Sequence, residues 1–377
     1  MVYEISGSPV IASFLKIFRT FLQIDLNMAI SHILICRTDN IGDVILTLPL
    51  TAYIKQRFPG VKISFLCRAY AAAVVRYCST VDAVIEMESL ADPAAYFAES
   101  DIDVILFAQL DKRLAAAAHK ARIPVRIGNA YRTWFNWWHC NRPVHFTRGG
   151  SDSHEAQLNF KYLRPLGIDY IPELAAIPAM YHFKIPHDPV LDQMLRPYRF
   201  NLIIHPKSNG HGREWPSDYF VQLAKSLGKQ QDLRVWVTGS AAEGQWLADN
   251  APELLQLPNV SNVCGKFTLA ELACFINAAD GLIASGTGPL HMSAAFGQRT
   301  IGLFPGARSM HPGRWGALGI RARSLCQPVV DCNGCKIKHA LTCDCMRNIS
   351  PDMVEKNVLE WVDQKRTADD PIEVKQT

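Results

Sequence analysis

Ile33-Leu34-Ile35-Cys36-Arg37-Thr38-Asp39-Asn40-Ile41-Gly42-Asp43-Val44 reads as an apolar strand, a tight polar turn and the start of a helix. The same order recurs where the apolar run Gly281 to Ala284 leads into Ser285-Gly286-Thr287-Gly288-Pro289-Leu290-His291. In open α/β sheets, ligands bind at such junctions, outside the carboxyl ends of the strands. The first turn carries two carboxylates, Asp39 and Asp43, toward that crevice. The second offers backbone N–H groups and the Thr287 hydroxyl at a helix start, which suits an anion such as phosphate. Roughly 240 residues separate the two turns, so the expectation is two lobes facing one cleft.

Outward from these turns the chain alternates. Strand-like runs are expected at Ile33–Cys36, Lys62–Leu66, Ala83–Ile85, Val104–Phe107 and Val125–Ile127, with helices over 43–57, 69–77, 93–99 and 111–121 between them. Repeated strand–helix units imply a parallel sheet covered on both faces. Residues 131–149 interrupt the pattern with Tyr131, Trp134, Phe135, Trp137, Trp138 and His139, interleaved with Arg132, Asn136 and Arg142. Such a loop is either a small apolar core or a surface that grips something amphipathic. Prolines at 178, 186, 189 and 197 mark a linker. The alternation then restarts with strands at 202–205, 235–238, 282–284 and 300–303 and helices over 217–227, 241–248, 269–278 and 288–296. The expected fold is α/β, two doubly wound domains around a cleft.

A chain of 377 residues, 49% apolar and 20% charged, has material for two cores and none of the signature of general disorder. A net charge of +4 does not call for nucleic acid, and none is expected as a partner. Residues 1–27 lack the basic leader of a signal peptide, since Glu4 precedes the apolar stretch and Lys16 and Arg19 interrupt it. With no run of about 20 apolar residues, no spanning helix is expected. A reducing, cytoplasmic setting follows, in which most of the eleven cysteines act as small buried hydrophobes. Within 9–26, Val10, Phe14, Ile17, Phe18, Phe21 and Leu22 recur at helical spacing. This amphipathic helix either docks on the protein or rests on a membrane surface.

Several residues could carry chemistry. Asp43 follows Gly42 in the first turn of a helix, where an acid is favoured by the helix dipole and is also placed to act on a ligand. His205-Pro206-Lys207-Ser208-Asn209-Gly210-His211-Gly212-Arg213-Glu214-Trp215-Pro216 leaves a strand with glycines, cations and hydroxyls, as a phosphate-holding turn would, though without Walker spacing. Thr287 is either a helix cap or a phosphate contact, and His291 either a packed ring or a ligand contact. Cys332-Asn333-Gly334-Cys335 and Cys343-Asp344-Cys345 could hold a structural zinc, although the second pair is spaced by one residue. His154-Glu155 has no second histidine four positions on and is no zinc-protease motif.

Ile33 to Arg37 with Asn40-Ile41-Gly42-Asp43-Val44 and Thr47-Leu48-Pro49 resembles the opening of the heptosyltransferases of glycosyltransferase family 9. Arg213-Glu214-Trp215-Pro216 and Ser285 to His291 with Ala294-Ala295-Phe296-Gly297 resemble that family too, in the same order. The resemblance runs from about Ser31 to the C-terminus. It implies the GT-B architecture of two Rossmann-like domains. It further implies an inverting, metal-independent transfer of a sugar, heptose, from a nucleotide-diphosphate donor, ADP-heptose, to a lipopolysaccharide core or related glycolipid acceptor, with no cofactor.

By the same resemblance Asp43 is the catalytic base. Arg213, Thr287, Gly288 and His291 match the family's donor-binding residues, and Glu243 an acid that binds the nucleotide ribose; the cation and hydroxyl of the 205–216 turn add Lys207 and Ser208 to the expected donor contacts. Arg37, Asn40, Gly42, Trp137 and Trp138 are assigned to the acceptor, and no catalytic metal is implied. The domains expected are 1–27, an N-terminal extension; 28–185, acceptor-binding; 186–354, donor-binding; and 355–377, a C-terminal helix and tail. The enzyme is expected to be a monomer, with a peripheral contact on the cytoplasmic face of the inner membrane. Gly286 departs from the Asp that members often carry there. Other readings are a family-9 transferase for another nucleotide sugar, or a non-catalytic sugar- or nucleotide-binding protein, for which the loss of Asp43 or of the second turn would speak. A dinucleotide oxidoreductase would need Gly-x-Gly-x-x-Gly in the first turn, which has only Gly42.

Overall fold

The computed structural model describes residues 30–369, apart from Leu110, Arg132, Gly149, Gly150, Asn209, His211, Lys338 and His339. The helix expected over 9–26, and with it the membrane reading, lies outside the described residues.

Two parallel sheets of six strands form the molecule. In the first, β1 (His32–Cys36), β2 (Lys62–Cys67), β3 (Ala83–Glu86), β4 (Val104–Phe107), β5 (Val125–Asn129) and β6 (Arg142–Val144) lie in the order β3-β2-β1-β4-β5-β6. In the second, β7 (Phe200–His205), β8 (Leu233–Val237), β9 (Val260–Asn262), β10 (Gly281–Ser285), β11 (Arg299–Phe304) and β12 (Ala322–Cys326) lie as β12-β11-β10-β7-β8-β9. Counted within its own lobe, the second order is the first one read from the other edge. Each is the doubly wound 3-2-1-4-5-6 arrangement, with its switch point beside its first strand.

The strands form because both faces are buried. Ile33 and Ile35 of β1 pack into one apolar cluster, and Leu34 and Cys36 into another on the opposite face. That period of two, with nothing polar between, is the mark of a parallel sheet covered on both sides. In β7, Ile203 joins the first cluster, while Leu202 and Ile204 enter a third together with the C-terminal helix. The cluster that holds Ile33 and Ile35 also takes in Ala273, Phe275 and Leu290, so the two lobes abut through continuous apolar packing. The rings of Phe183 and Phe296 meet there edge to face, 4.9 Å apart.

Local departures from expectation have local causes. The helix expected over 43–57 is two, Ile41–Ile45 and Pro49–Arg57, because Pro49 has no N–H to continue the ladder and instead opens the second helix. The aromatic loop contains a short helix, Trp134–His139, and the linker contains the helix Pro189–Leu195, capped by Asp188. The C-terminal helix Pro351–Asp369 runs across position 354 without a break. Val354, Val358, Trp361 and Val362 of that helix are buried against the second sheet.

Candidate active site between two facing turns

The two turns that opened the sequence reading face each other. Between them lies a cleft of 710 Å³ lined by Asn40, Ile41, Gly42 and Asp43 from one lobe and by Gly286, Thr287, Gly288, Pro289 and His291 from the other. Ser208, Gly212, Arg213, Ser240 and Glu243 extend the lining on the second lobe, and Arg68 and Tyr70 on the first.

On the first lobe, Asp43 sits in the opening turn of the helix Ile41–Ile45 with its side chain 16% exposed. Its Oδ1 accepts a short hydrogen bond from Arg37 Nη2. Arg37 is 1% exposed, donates from Nε to Asp39 Oδ1 at 2.7 Å, and lies 3.5 Å from Glu155. Burial alone would pull its pKa down. The carboxylates of Asp43 and Asp39 outweigh that and raise it, so the guanidinium stays charged. Burial likewise raises the Asp39 pKa against the opposing pull of Arg37. Glu155, fully buried at the start of the helix Glu155–Phe160, also pairs with Arg148 and lies 3.6 Å from Arg314. Three guanidiniums thus meet three carboxylates. Removing one member of such a buried set costs about 3–5 kcal/mol, because its partners stay buried and charged.

On the second lobe, the helix Gly288–Ala295 begins without a side-chain cap: Thr287 occupies the cap position, yet its Oγ1 is buried with no hydrogen-bond partner. Pro289 has no N–H, so the free donors of that first turn are the Gly288 and Leu290 amides. His291 is buried with Nδ1 unpartnered, and burial pushes its pKa down to about 4, so the ring is neutral near pH 7. Glu243 follows a different rule. Its Oε2 accepts from the Ser240 amide at 2.7 Å, and the Ser240 hydroxyl accepts from the Glu243 amide at 3.2 Å, a capping box at the mouth of the cleft.

The turns approach so closely that only glycine fits at two places. A Cβ on Gly42 would lie 2.8 Å from His291 Cδ2, and one on Gly288 would run into Ile41 Cγ2. Each glycine answers a residue of the other lobe.

Asp43, Asn40, Gly42, Ser208, Arg213, Glu243, Thr287, Gly288 and His291 are therefore brought together. Four expected residues are not among the cleft lining. Arg37 lies beneath Asp43, occupied with carboxylates rather than open to an acceptor. Lys207 turns to Glu214 Oε2 at 2.5 Å and covers the Trp246 ring, because a nearly buried ammonium needs a partner. Trp137 and Trp138 are 62% and 76% exposed on the helix Trp134–His139, away from the cleft. Arg213 reaches the lining, but its guanidinium is spent on the carbonyls of Gly334, Ile337 and Ala340.

Sequence reasoning missed Glu214, Glu155, Arg148 and Arg314. Glu214 organises the turn after β7 from inside, accepting from the Ser208 amide at 2.9 Å and the Ser208 hydroxyl at 3.0 Å. Its position seven residues after Lys207 was the available signal. Of the partners of Glu155, Arg148 stands seven residues before it and gave the same kind of signal, while Arg37 and Arg314 come from distant stretches. Among the described residues, one group could hold a metal: Cys332, Cys335, Cys343 and Cys345. No described helix is long and apolar enough to cross a membrane.

The profile of glycosyltransferase family 9 (heptosyltransferase) matches residues 98–342. A Haemophilus influenzae protein assigned as a glycosyltransferase is 27% identical over 300 residues, which is 75% of this chain and 85% of that one. Among solved structures, a glycosyl transferase family 9 protein of Veillonella parvula superposes with a TM-score of 0.70 at 17% identity, over 90% of this chain and all of the other. The Escherichia coli ADP-heptose lipopolysaccharide heptosyltransferase II superposes with a TM-score of 0.67 at 16% identity, over 89% of this chain and 99% of the other.

Proposed function

We propose a donor, an acceptor and a base for this chain, which belongs to glycosyltransferase family 9, the heptosyltransferases, and is a glycosyltransferase. It moves heptose from ADP-heptose to a hydroxyl of a lipopolysaccharide core, with inversion at the anomeric carbon. The observation that carries the reading is Asp43, held by Arg37 at the cleft directly across from the uncapped helix start at Thr287-Gly288. The E. coli heptosyltransferase of this fold takes its name from ADP-heptose and lipopolysaccharide.

The chemistry follows from the two turns. The acceptor oxygen attacks the anomeric carbon as the bond to the diphosphate breaks, a single displacement that inverts the centre. The acceptor proton passes to Asp43, whose carboxylate the hydrogen bond from Arg37 holds in place at the cleft. Charge developing on the diphosphate is met by the Gly288 and Leu290 amides and by the unpartnered Thr287 hydroxyl, so the proposed mechanism needs no divalent ion. Glu243 at the cleft mouth faces the nucleoside. The second lobe is then the donor domain and the first the acceptor domain. The exposed Trp134, Trp137 and Trp138, with Lys112 Nζ 5.0 Å from the Trp134 ring, form an outer face for the sugar and lipid portions of the acceptor. The site of action is the cytoplasmic side of the inner membrane.

Asp43→Asn tests the base. Turnover should fall about a hundredfold or more while ADP affinity is kept. Near-normal turnover would remove Asp43 from the role. A second reading rests on Gly286. A Cβ there would lie 3.0 Å from Phe304 Cε1, so the ring occupies space that a carboxylate would need. That favours a donor sugar with different polar demands. A panel of nucleotide sugars, read by thermal shift, separates the two, since a ligand raises stability according to its affinity.

A further inference from the structure

Cys332-Asn333-Gly334-Cys335 and Cys343-Asp344-Cys345 leave the sequence as two unlike pairs and meet in the structure as one cluster. All four sulfurs lie within 4.8 Å of one another. Cys335 Sγ is 3.6 Å from Cys343 Sγ and 3.7 Å from Cys345 Sγ. A disulfide needs about 2.05 Å. Four thiolates placed tetrahedrally around one ion at about 2.3 Å stand about 3.8 Å apart, close to the two distances from Cys335 and within the bound on the whole set. Three of the four cysteines are buried. The Val329 amide donates to Cys345 Sγ at 3.2 Å, the kind of hydrogen bond that steadies a metal-bound thiolate. Gly334 lets the first pair fold onto the second, since a Cβ there would lie 2.6 Å from Cys343 Cβ.

The cluster also has something to hold. Between its two pairs runs the loop whose Gly334, Ile337 and Ala340 carbonyls accept from the Arg213 guanidinium. The Leu341 carbonyl accepts from the Glu214 amide at 2.5 Å. Arg213 and Glu214 belong to the turn after β7 that borders the cleft.

We propose that Cys332, Cys335, Cys343 and Cys345 bind one thiophilic divalent ion, zinc by its fit to four tetrahedral thiolates, and that this ion clamps the 333–342 loop onto the 207–214 turn. The ion is structural: no open coordination position remains for substrate. The loop holds the turn through backbone carbonyls, so the clamp acts whatever ligand the cleft takes.

The full-length protein, purified without chelator, should carry about one zinc or iron per chain by elemental analysis. After chelation it should take up Co(II) with the thiolate charge-transfer and d–d bands of a tetrahedral site. Metal removal should speed amide exchange at Ser208 and Glu214 about tenfold or more, with β1 and β4 unchanged. The double variant Cys335→Ser, Cys343→Ser should lose the metal, and Cys264→Ser should keep it. If the double variant does not fold, the elemental and Co(II) measurements on the unaltered chain still decide. Absence of both metal and Co(II) uptake, or a disulfide among the four found by mass spectrometry, overturns the site. Metal bound without any change in exchange at 207–214 overturns the clamp.

Discussion

Asp43 was legible because it follows Gly42 at a strand-to-helix turn, whereas Arg37, which holds it from beneath, reads in the sequence as an acceptor contact. Glu155 was not legible, because Arg37 and Arg314 reach it from distant parts of the chain and only Arg148, seven residues before it, is near in sequence. Lys207 shows the opposite failure: a lysine in a polar turn looks like a phosphate ligand until its carboxylate partner is seen. The buried histidines add a property no spacing reveals. Burial lowers both His291 and His154 to about 4, against about 6.5 in an unfolded chain. Below about pH 6.5 the unfolded chain takes up protons that the folded one refuses until about pH 4. Stability present above pH 6.5 is therefore lost as the pH falls, by up to about 3 kcal/mol for each ring at about 1.4 kcal/mol per unit. Urea midpoints at pH 7.5 and pH 5 check this. The lower pH should give the clearly lower midpoint, and His291→Gln should flatten the difference.

Strands were read best where both faces are buried. β1, β4, β7 and β10 sit in the middle of their sheets and were found to within two residues. β6, β9 and β12 were missed. They are edge strands, two of them three residues long, and only one side of each is paired, so their sequences carry little apolar signal. The facing helices Ile41–Ile45 and Gly288–Ala295 show what elements do to each other. Each carries a glycine in its first turn against a bulky residue of its opposite number. Gly42→Ala should hold the turns apart. We expect kcat to drop tenfold or more with nucleoside-diphosphate affinity changed far less, since a displacement of about 1 Å at a reacting centre is costly while the amides at Gly288 and Leu290 keep their place in the second lobe. Calorimetry with ADP beside steady-state turnover separates the two quantities. A loss of ADP affinity equal to the loss of turnover would mean that Gly42 serves the donor.

Across the whole molecule, the outward tryptophans lie apart from the cleft yet on the lobe proposed for the acceptor. A long amphipathic acceptor can place one hydroxyl at Asp43 and still reach them. Trp137→Ala with Trp138→Ala should raise the acceptor KM several-fold and leave the donor KM within about twofold, with stability little changed because both rings are exposed. A rise in the donor KM instead would reverse the lobe roles.

The two sheets carry the same strand order, so the chain holds two equivalent crevices pointing at each other. They have opposite electrical character. At the facing turns, one presents the Asp43 carboxylate, with the positive charge of Arg37 already paired beneath it; the other presents bare amides and an unpartnered hydroxyl. An anionic group between the two turns is disfavoured beside Asp43 and favoured at the bare helix start, so the near-symmetric pocket prefers one orientation of it. The asymmetry gives a duplicated architecture a polarity, the one that the proposed transfer from donor lobe to acceptor lobe requires.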